Sequence, residues 1–348
     1  MQTIRVVGFG AMNLDELYRV QSVLADNETT VGEYQSSPGG SSANTIYGLA
    51  KLGISTGFIG VVGDDEAGGL LIKDFREVGV DTNQIKVKEN TKTGKVLGLT
   101  DYYGKRALYV APGANSLLNM DDVQLEYLKQ TEFVHLSSFV DEEQFEIQKK
   151  VVDILPPSVK ISFTPGAIYT RKGLNTLAPI LEKTDILFAN ESEINELTGA
   201  SYRIAARHLI DRGCRTVIVT LGKQTLKEID ESQLMMFEDS NHPRVLSPQA
   251  APSFISNNDR FANYVADAND EYVIESAKVV RKKDTTGAGD AFATGFLYGL
   301  LIGKGIEECG RLGSIVAQLS IKQMGARRGL PNQNGLRRRY QELYNQPL

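Results

Sequence analysis

Strand-like and helix-like segments alternate along most of the chain, and this alternation is the strongest constraint on its fold. IRVVGFG near the N-terminus is predicted to be a buried strand, as is TGFIGVVG, and helices are predicted over 42–52 and 67–78. Between further helical stretches, strands are expected at 133–136, 159–163, 186–189 and 216–220. Strands joined by helix-length connections imply right-handed crossovers and a doubly wound, mostly parallel α/β sheet. Ligands of such sheets bind beyond the carboxyl ends of the strands.

Two segments depart from this alternation. Residues from about 14–37 and 93–111 carry alternating β-branched and aromatic side chains, which predicts antiparallel hairpins outside the main sheet, with a turn at 103–105. We expect them to form a small β-sheet lid over the substrate pocket; the alternative is two hairpins with no role there. A third segment, about 224–262, is polar and weakly periodic, which predicts an insertion or mobile loop without an assigned function.

Composition excludes several classes of protein. The formal net charge of −5 disfavours nucleic acid as a partner, because nucleic-acid-binding proteins neutralise phosphates. No apolar run reaches the roughly 18 residues of a membrane span, and the N-terminus lacks the pattern of a secretory signal. The two cysteines, Cys214 and Cys309, favour a reducing, cytoplasmic setting. The three histidines, His135, His208 and His242, lack the spacing of a metal site.

The segment DTTGAGD, residues 284–290, is the strongest local signal for chemistry. It precedes AFATGFLYGLL, which has the pattern of a buried helix, so the segment is predicted to lie at a loop-to-helix junction. Glycines and the helix N-terminus bring free N–H groups together and create an anion site. In a phosphoryl transfer that site would hold the migrating oxygens, and Asp290 would accept the proton of the attacking hydroxyl. Alternatively, Gly287 and Gly289 form a tight turn and Asp290 favours the first helical turn.

The segment PGGSSAN, residues 38–44, is predicted to open another helix. Gly39 and Gly40 permit close approach of the backbone to a ligand, and Asn44 can donate and accept hydrogen bonds with vicinal hydroxyls. The alternative is an ordinary helix with a serine cap and a preceding glycine turn. Asn13 and Asp15 follow the first strand, where a substrate would lie. The GFGAMN sequence there is not a dinucleotide motif, because Asn13 replaces the third glycine and no helix follows.

Two further segments follow predicted strands. Asn190 and Glu193, in NESE, could organise Mg²⁺ through water, since Mg²⁺ keeps most of its hydration shell. A helix N-cap with an acidic first turn explains the same residues equally well. Thr220 and Gly222, in TLG, lie where a glycine would let the backbone meet a nucleotide. A Walker A loop is absent from the sequence, so a P-loop enzyme is excluded.

These segments, in this order, resemble the ribokinase-like (PfkB-type) family of carbohydrate and nucleoside kinases. PGGSSANTIYGLAKLG is similar to its N-terminal signature and DTTGAGDAFATGF to its C-terminal one, with NESE, VTLG, PGAN (112–115) and GARRGLP (325–331) as further matches. The resemblance implies one ribokinase-like domain over 1–348, a three-layer α/β fold with a β-sheet lid. It also implies transfer of the γ-phosphoryl group of ATP, with Mg²⁺ and K⁺, to an alcohol.

The resemblance also implies roles for individual residues. Asp290 matches the catalytic base, and the anion hole matches Gly287, Ala288 and Gly289. The family's substrate contacts match Asn13, Asp15, Gly39, Gly40 and Asn44. Its nucleotide-binding positions match Asn190, Thr220 and Gly222, and Glu193 matches a magnesium position acting through water. Asp284 and Thr286 match positions that bind K⁺, with backbone carbonyls near Gly325 completing the site.

The acceptor is left open by the sequence. A sugar is the leading hypothesis, because polar groups dominate the substrate positions. A nucleoside would need an apolar slot, for which Phe9, Tyr18, Tyr102 and Tyr109 are candidates. A non-catalytic sensor of sugars or nucleotides is disfavoured by the intact Asp290.

Two departures from the family pattern affect these hypotheses. The polar insertion separates TLG from NYVADANDEYVIES, which changes the expected surroundings of the nucleotide, and Thr164 stands where family members carry Asp. The apolar strand at 105–110 also makes a homodimer through the lid an expectation.

Overall fold

The computed structural model describes residues 3–103, 105–222, 262–275 and 283–348. Gly104, in the predicted turn, lies outside these residues, as does the predicted insertion apart from its last residue. The described strands are β1 (Val6–Phe9), β2 (Asn13–Val20), β3 (Val31–Gly39), β4 (Thr56–Gly63), β5 (Ile85–Lys88), β6 (Gly94–Asp101), β7 (Arg106–Ala111), β8 (Phe133–Ser137), β9 (Lys160–Thr164), β10 (Ile186–Asn190), β11 (Thr216–Gly222), β12 (Ala262–Asp267) and β13 (Glu271–Glu275). The described helices are α1 (Ser41–Lys51), α2 (Glu66–Glu77), α3 (Leu125–Lys129), α4 (Glu142–Ile154), α5 (Gly166–Thr170), α6 (Leu174–Leu181), α7 (Glu191–Thr198), α8 (Tyr202–Asp211), α9 (Ala288–Leu301), α10 (Ile306–Ser320) and α11 (Gln333–Tyr344).

The main sheet contains nine strands in the order β13-β12-β11-β10-β9-β8-β1-β4-β5. The strands from β11 to β5 are parallel, and β12 and β13 add an antiparallel edge. β1 and β4 are buried along their whole length. They show no polar alternation because strands of parallel sheets are covered on both faces. The predicted doubly wound, mostly parallel sheet is therefore confirmed.

Helices on both faces of the main sheet complete a three-layer architecture. Phe145 of α4 and Leu209 of α8 share one buried apolar cluster with Phe9 of β1. Ile46 of α1 and Phe292 of α9 belong to a second cluster, on the opposite face. Among the helices described, none is both long and apolar enough to cross a membrane.

A separate four-stranded sheet, the small sheet, has the order β3-β2-β6-β7. It contains the two predicted hairpins, since β2 pairs with β3 and β6 with β7 in antiparallel fashion. The hairpins join through a parallel pair, β2 with β6, which hairpin signals in the sequence do not predict. Asn13 at the start of β2 lies opposite both Gly39 and Gly94, so the base of the small sheet adjoins the end of β1 and the start of α1.

The strand order reverses beside β1, and this reversal places the site. β4 and β5 lie on one side of β1, whereas β8 to β11 lie on the other. Connections that diverge from neighbouring parallel strands leave a crevice at the carboxyl ends of those strands. The segments from β1 to β2 and from β3 to α1 begin at this crevice.

The contact between α9 and α10 provides a test of the fold. A Cβ atom on Gly295 of α9 would lie 2.4 Å from the carbonyl oxygen of Leu312 in α10, so the backbones would have to separate. We expect Gly295→Ala to lower the free energy of unfolding by about 1–3 kcal/mol. The control Gly69→Ala, where a Cβ meets no atom within 4 Å in α2, should raise it by about 0.5–1 kcal/mol. Urea unfolding monitored by circular dichroism measures both; equal effects would contradict the close approach.

Candidate active site

Asp290 lies in the first turn of α9 and is held by two side chains of α1. The Ser41 hydroxyl donates to Oδ1 of Asp290 at 2.7 Å, and Nδ2 of Asn44 donates to Oδ2 at 2.9 Å. Burial raises the pKa of Asp290, although the bonds from Asn44 and Ser41 and the charges of Arg327 and Arg106 act to lower it. The carboxylate is therefore fixed in orientation and is more basic than an exposed aspartate.

The turn before α9 requires glycine at position 287. Gly287 has φ 72°, and a Cβ atom there would lie 2.5 Å from Cβ of Ala326. The N–H of Ala288 donates to the Thr285 carbonyl oxygen at 3.2 Å and closes the turn. Of the residues matched to the anion hole, Ala288 thus has its N–H engaged in this conformation.

The start of α1 also depends on a glycine. Gly40 has φ 96° and caps the helix without a side chain of its own, and the Ser42 N–H of the first turn donates to Oγ of Ser137 at 3.1 Å. A Cβ atom on Gly40 would lie 2.3 Å from the Ala11 carbonyl oxygen, so the backbone passes closely over the end of β1. The alternative of an ordinary serine cap is wrong, because Ser41 is already inside the helix and its hydroxyl bonds to Asp290.

Arg327 links three elements around Asp290, because it hydrogen-bonds to residues of β3, α1 and α2. Its Nε donates to Oδ1 of Asn44 at 2.9 Å, its Nη2 donates to the Gly39 carbonyl oxygen at 3.0 Å, and its Nη1 pairs with Asp74 at 2.6 Å. Because the Asn44 oxygen faces Arg327, its amide nitrogen must face Asp290. Neither Arg327 nor Ser41 was a predicted site residue; their adjacency to matched motifs was the available signal.

Asn13 and Asp15 occupy the base of the small sheet. Oδ1 of Asn13 accepts from Nδ2 of Asn115 at 3.0 Å, which fixes the amide of Asn13. Asp15 is only 7% exposed, and its Oδ1 has no hydrogen-bond partner. Burial, the main cause, raises the pKa of Asp15 to about 7. Its carboxylate lies over Gly39, where a Cβ atom would come within 2.2 Å of Oδ1.

A cavity of about 520 Å³ lies on the other side of the α9 N-terminus. Asn190, Thr220 and Gly222, predicted to bind nucleotide, line it together with Ala288 and Gly289. Its remaining wall includes the apolar side chains of Phe292, Ala317 and Ile321. The two groups of predicted residues therefore meet at the start of α9, with Asp290 facing the substrate group and Gly289 facing the cavity.

Asn190 and Glu193 form a reciprocal cap at the start of α7. Oδ1 of Asn190 accepts from the Glu193 N–H, and Oε2 of Glu193 accepts from the Asn190 N–H, each at 2.9 Å. The alternative of a helix cap is thus correct, and it leaves Oε1 of Glu193 outside the cap. Burial raises the pKa of Glu193. Among the described residues no group of three or more acidic, histidine or cysteine side chains could hold a metal directly. The donors present fit a hydrated Mg²⁺ better than a fully coordinated one.

Asp284 links the two segments predicted to bind K⁺. Its Oδ1 accepts from the N–H of Thr286 at 2.9 Å and from its hydroxyl at 2.8 Å. Its Oδ2 accepts from the Gly325 N–H at 2.9 Å. The structure therefore brings Asp284, Thr286 and Gly325 together.

Comparison with known proteins identifies the family. The model for the pfkB family of carbohydrate kinases matches residues 3–226 and 262–333. An uncharacterized sugar kinase of Archaeoglobus fulgidus is 36% identical over 289 residues, covering 82% of this chain and 98% of that protein. An ATP-dependent ribose-1-phosphate kinase of Halopiger xanaduensis is 28% identical over 325 residues, 93% of this chain and 94% of its own.

Solved structures agree on the fold. Arabidopsis thaliana ribokinase in complex with ribose and ATP superposes with a TM-score of 0.75 at 22% identity, covering 96% of this chain and 98% of that one. A Burkholderia thailandensis nucleoside kinase in complex with inosine gives 0.76 at 18% identity, covering 99% and 100%. The family match and the sugar kinase relative go further than the fold: this chain belongs to the pfkB family of carbohydrate kinases, phosphotransferases that act on an alcohol group.

Proposed function

We propose that this protein transfers the γ-phosphoryl group of ATP to a sugar hydroxyl, with Asp290 as the general base. The observation that carries the proposal is the position of Asp290, a partly buried carboxylate between the polar substrate residues and the 520 Å³ cavity. A base works best when its pKa is shifted toward the operating pH, and burial shifts the pKa of Asp290 upward. Ser41 and Asn44 fix the carboxylate, and Arg327 fixes Asn44.

The remaining assignments follow this arrangement. ATP is assigned to the cavity, with its transferring phosphate at the N-terminus of α9, where N–H groups and the helix dipole favour anions. Glu193 and Asn190 would hold Mg²⁺ through water, and the ion would offset charge on the phosphates. An Escherichia coli protein of the same fold, 22% identical with a TM-score of 0.77, forms a complex with ATP and Mg²⁺. Asn13 and Asp15 would bind the acceptor's hydroxyls beneath the small sheet acting as a lid.

A nucleoside is the second candidate acceptor, supported by the structural likeness to nucleoside kinases. The positions of the candidate residues weaken the prediction of an apolar slot for the base. Phe9 is fully buried and packs edge-on against Phe139. Tyr18 and Tyr109 alternate with Leu17 and Leu108, so they lie on the face of the small sheet opposite to Asp15. Of the four candidate residues, only Tyr102 could still contribute to an apolar slot for a base, and this favours a polyol as the acceptor.

Oligomeric state stays a prediction. Tyr34, Leu97 and Tyr109 are exposed on the face of the small sheet that points away from Asp15. The sequence led us to expect a homodimer through the lid with residues 105–110 as a pairing edge, and contact through this face would also bury apolar area.

Replacement of the proposed base tests the mechanism. Asp290→Asn should lower kcat by about 10²–10⁴-fold, because a general base contributes that much, while ATP binding stays within about twofold of wild type. ADP release with a sugar panel and calorimetric titration of ATP measure the two quantities. Asp153→Asn, on the exposed side of α4, is the control and should behave as wild type. Near wild-type turnover by Asp290→Asn would remove Asp290 from the mechanism.

The monovalent cation is tested by exchange of salts. If K⁺ binds beside Asp284, ADP release should be faster in KCl than in NaCl at the same ionic strength, because the larger cation suits a site of several oxygens. Asp284→Asn should reduce this difference. Equal wild-type rates in the two salts would contradict the K⁺ site.

The ionised carboxylate of Asp15 should lower the free energy of unfolding at neutral and higher pH. Its folded pKa of about 7 exceeds its ordinary value of 3.8, so protonation favours folding and that stability is lost as the pH rises toward 7. Asp15→Asn removes the titration. Its stability relative to wild type should therefore increase by about 2–3 kcal/mol between pH 5 and pH 7, at about 1.4 kcal/mol per pKa unit. Chemical denaturation at both pH values measures the difference; a difference independent of pH would show that Asp15 is not shifted.

A further inference from the structure

Asp15 identifies the face of the small sheet that looks into the acceptor pocket. Asp15 pairs with Val96 of β6, and Val96 pairs with Val110 of β7. Directly paired residues share a face and every second residue returns to it. Arg19, Thr100 and Arg106 therefore lie on the Asp15 face, which we call the site face.

These three residues form one row across the sheet. Arg19 pairs with Thr100, and Thr100 pairs with Arg106, so a hydroxyl lies between two guanidinium-bearing side chains. Paired side chains have Cβ atoms about 5 Å apart, which lets both arginines approach one small group beside the threonine. Guanidinium groups bind phosphates and carboxylates by two parallel hydrogen bonds.

Among the described residues Arg106 has neither an ion pair nor a side-chain hydrogen bond, whereas Lys95, Lys105 and Arg19 each have a partner. Lys95 pairs with Glu16 at 2.8 Å on the opposite face, and Lys105 donates to the Val23 carbonyl oxygen at 3.2 Å. Arg19 approaches Glu33 at 3.9 Å and lies over the ring of Tyr102. Arg106 is thus the cation of this face that is left for a ligand.

The charge of Arg106 reaches the acceptor pocket. It acts to lower the pKa of both Asp15 and Asp290, the two carboxylates of the site. Two members of the row, Arg19 and Thr100, line a cavity of about 240 Å³. Its lining also includes Leu17, Glu33 and Asp284. Of these two carboxylates, Asp284 accepts bonds from Thr286 and Gly325, and Glu33 lies 3.9 Å from Arg19.

From this arrangement we propose that the row of Arg19, Thr100 and Arg106 is an anion subsite, and that the acceptor is an anionic sugar whose phosphate or carboxylate binds Arg106. The inference rests on the proposed kinase function and names the class of its acceptor. A neutral polyol would use Asp15 and Asn13 but leave Arg106 without a partner. A second charged group on the acceptor engages the row while a hydroxyl faces Asp290.

Titration calorimetry without ATP tests the subsite separately from the chemistry. Ribose, ribose 1-phosphate, ribose 5-phosphate, glucose and gluconate are titrated into the full-length wild type, Arg106→Gln, Arg106→Lys and the control Lys105→Gln. At least one anionic sugar should bind wild type tenfold or more tightly than its neutral parent. Arg106→Gln should weaken that ligand about tenfold or more, because a charged hydrogen bond is lost. Arg106→Lys should recover part of the affinity, and Lys105→Gln should retain all of it.

The remaining outcomes separate the hypotheses. A preference for either ribose phosphate identifies a sugar phosphate, and a preference for gluconate identifies a sugar acid. Ribose or glucose binding as tightly as every anionic sugar, or no binding of any anionic sugar, overturns the subsite. An equal loss of neutral and anionic ligands, or of ATP affinity, in Arg106→Gln also overturns it. Anionic sugar binding that depends on Arg106, without ADP release when ATP and Mg²⁺ are added, would instead overturn the kinase proposal and leave the subsite standing.

Discussion

The contact between the N-terminal ends of α1 and α9 is the interaction on which the site depends. Asp290 of α9 accepts hydrogen bonds from Ser41 and Asn44 of α1, which join positions about 250 residues apart in the chain. The helices can approach because Gly48 of α1 faces Thr294 of α9, where a Cβ atom would lie 2.6 Å from Cγ2. Packing of the two helices thus determines where the carboxylate points, so the fold and the chemistry cannot vary independently.

Arg327 fixes the orientation of the Asn44 amide in this contact, and burial of its charge costs free energy. A buried guanidinium is tolerated only when its donors are satisfied. Asp74 supplies the counter-charge, Asn44 and Gly39 accept further bonds, and the rings of Tyr47 and Phe75 cover the guanidinium at 5.2 and 5.1 Å. Loss of any one of these partners would leave a buried charge or amide without a hydrogen bond. The side chains around Arg327 are therefore restricted to rotamers that keep all of these bonds. The orientation of the Asn44 amide therefore follows from the buried charge of Arg327.

Local patterns in the sequence predicted the parts of the structure that local physics decides. The apolar run of β4 and the glycine-rich start of α9 could be recognised because burial on both faces and a positive φ leave clear compositional traces. The parallel pairing of β2 with β6 could not, since it depends on how two hairpins meet. Arg327 was recognised as part of a motif, but its partners, such as Asp74, lie far away in the sequence. Gly40 caps α1 in place of the serine of the alternative interpretation, because a Cβ at position 40 would collide with Ala11, a contact between distant segments.

Charge balance gives the site its remaining constraint. Burial raises the pKa of both Asp15 and Asp290, and the charge of Asp290 raises the pKa of Asp15 further. Arg327 from below and Arg106 from the small sheet act in the opposite direction on both groups. Arg327 is fixed by its partners, whereas Arg106 is carried by β7 and changes its distance from the carboxylates if the small sheet moves. A closing movement of the small sheet would therefore bring positive charge toward both carboxylates and favour their ionised forms.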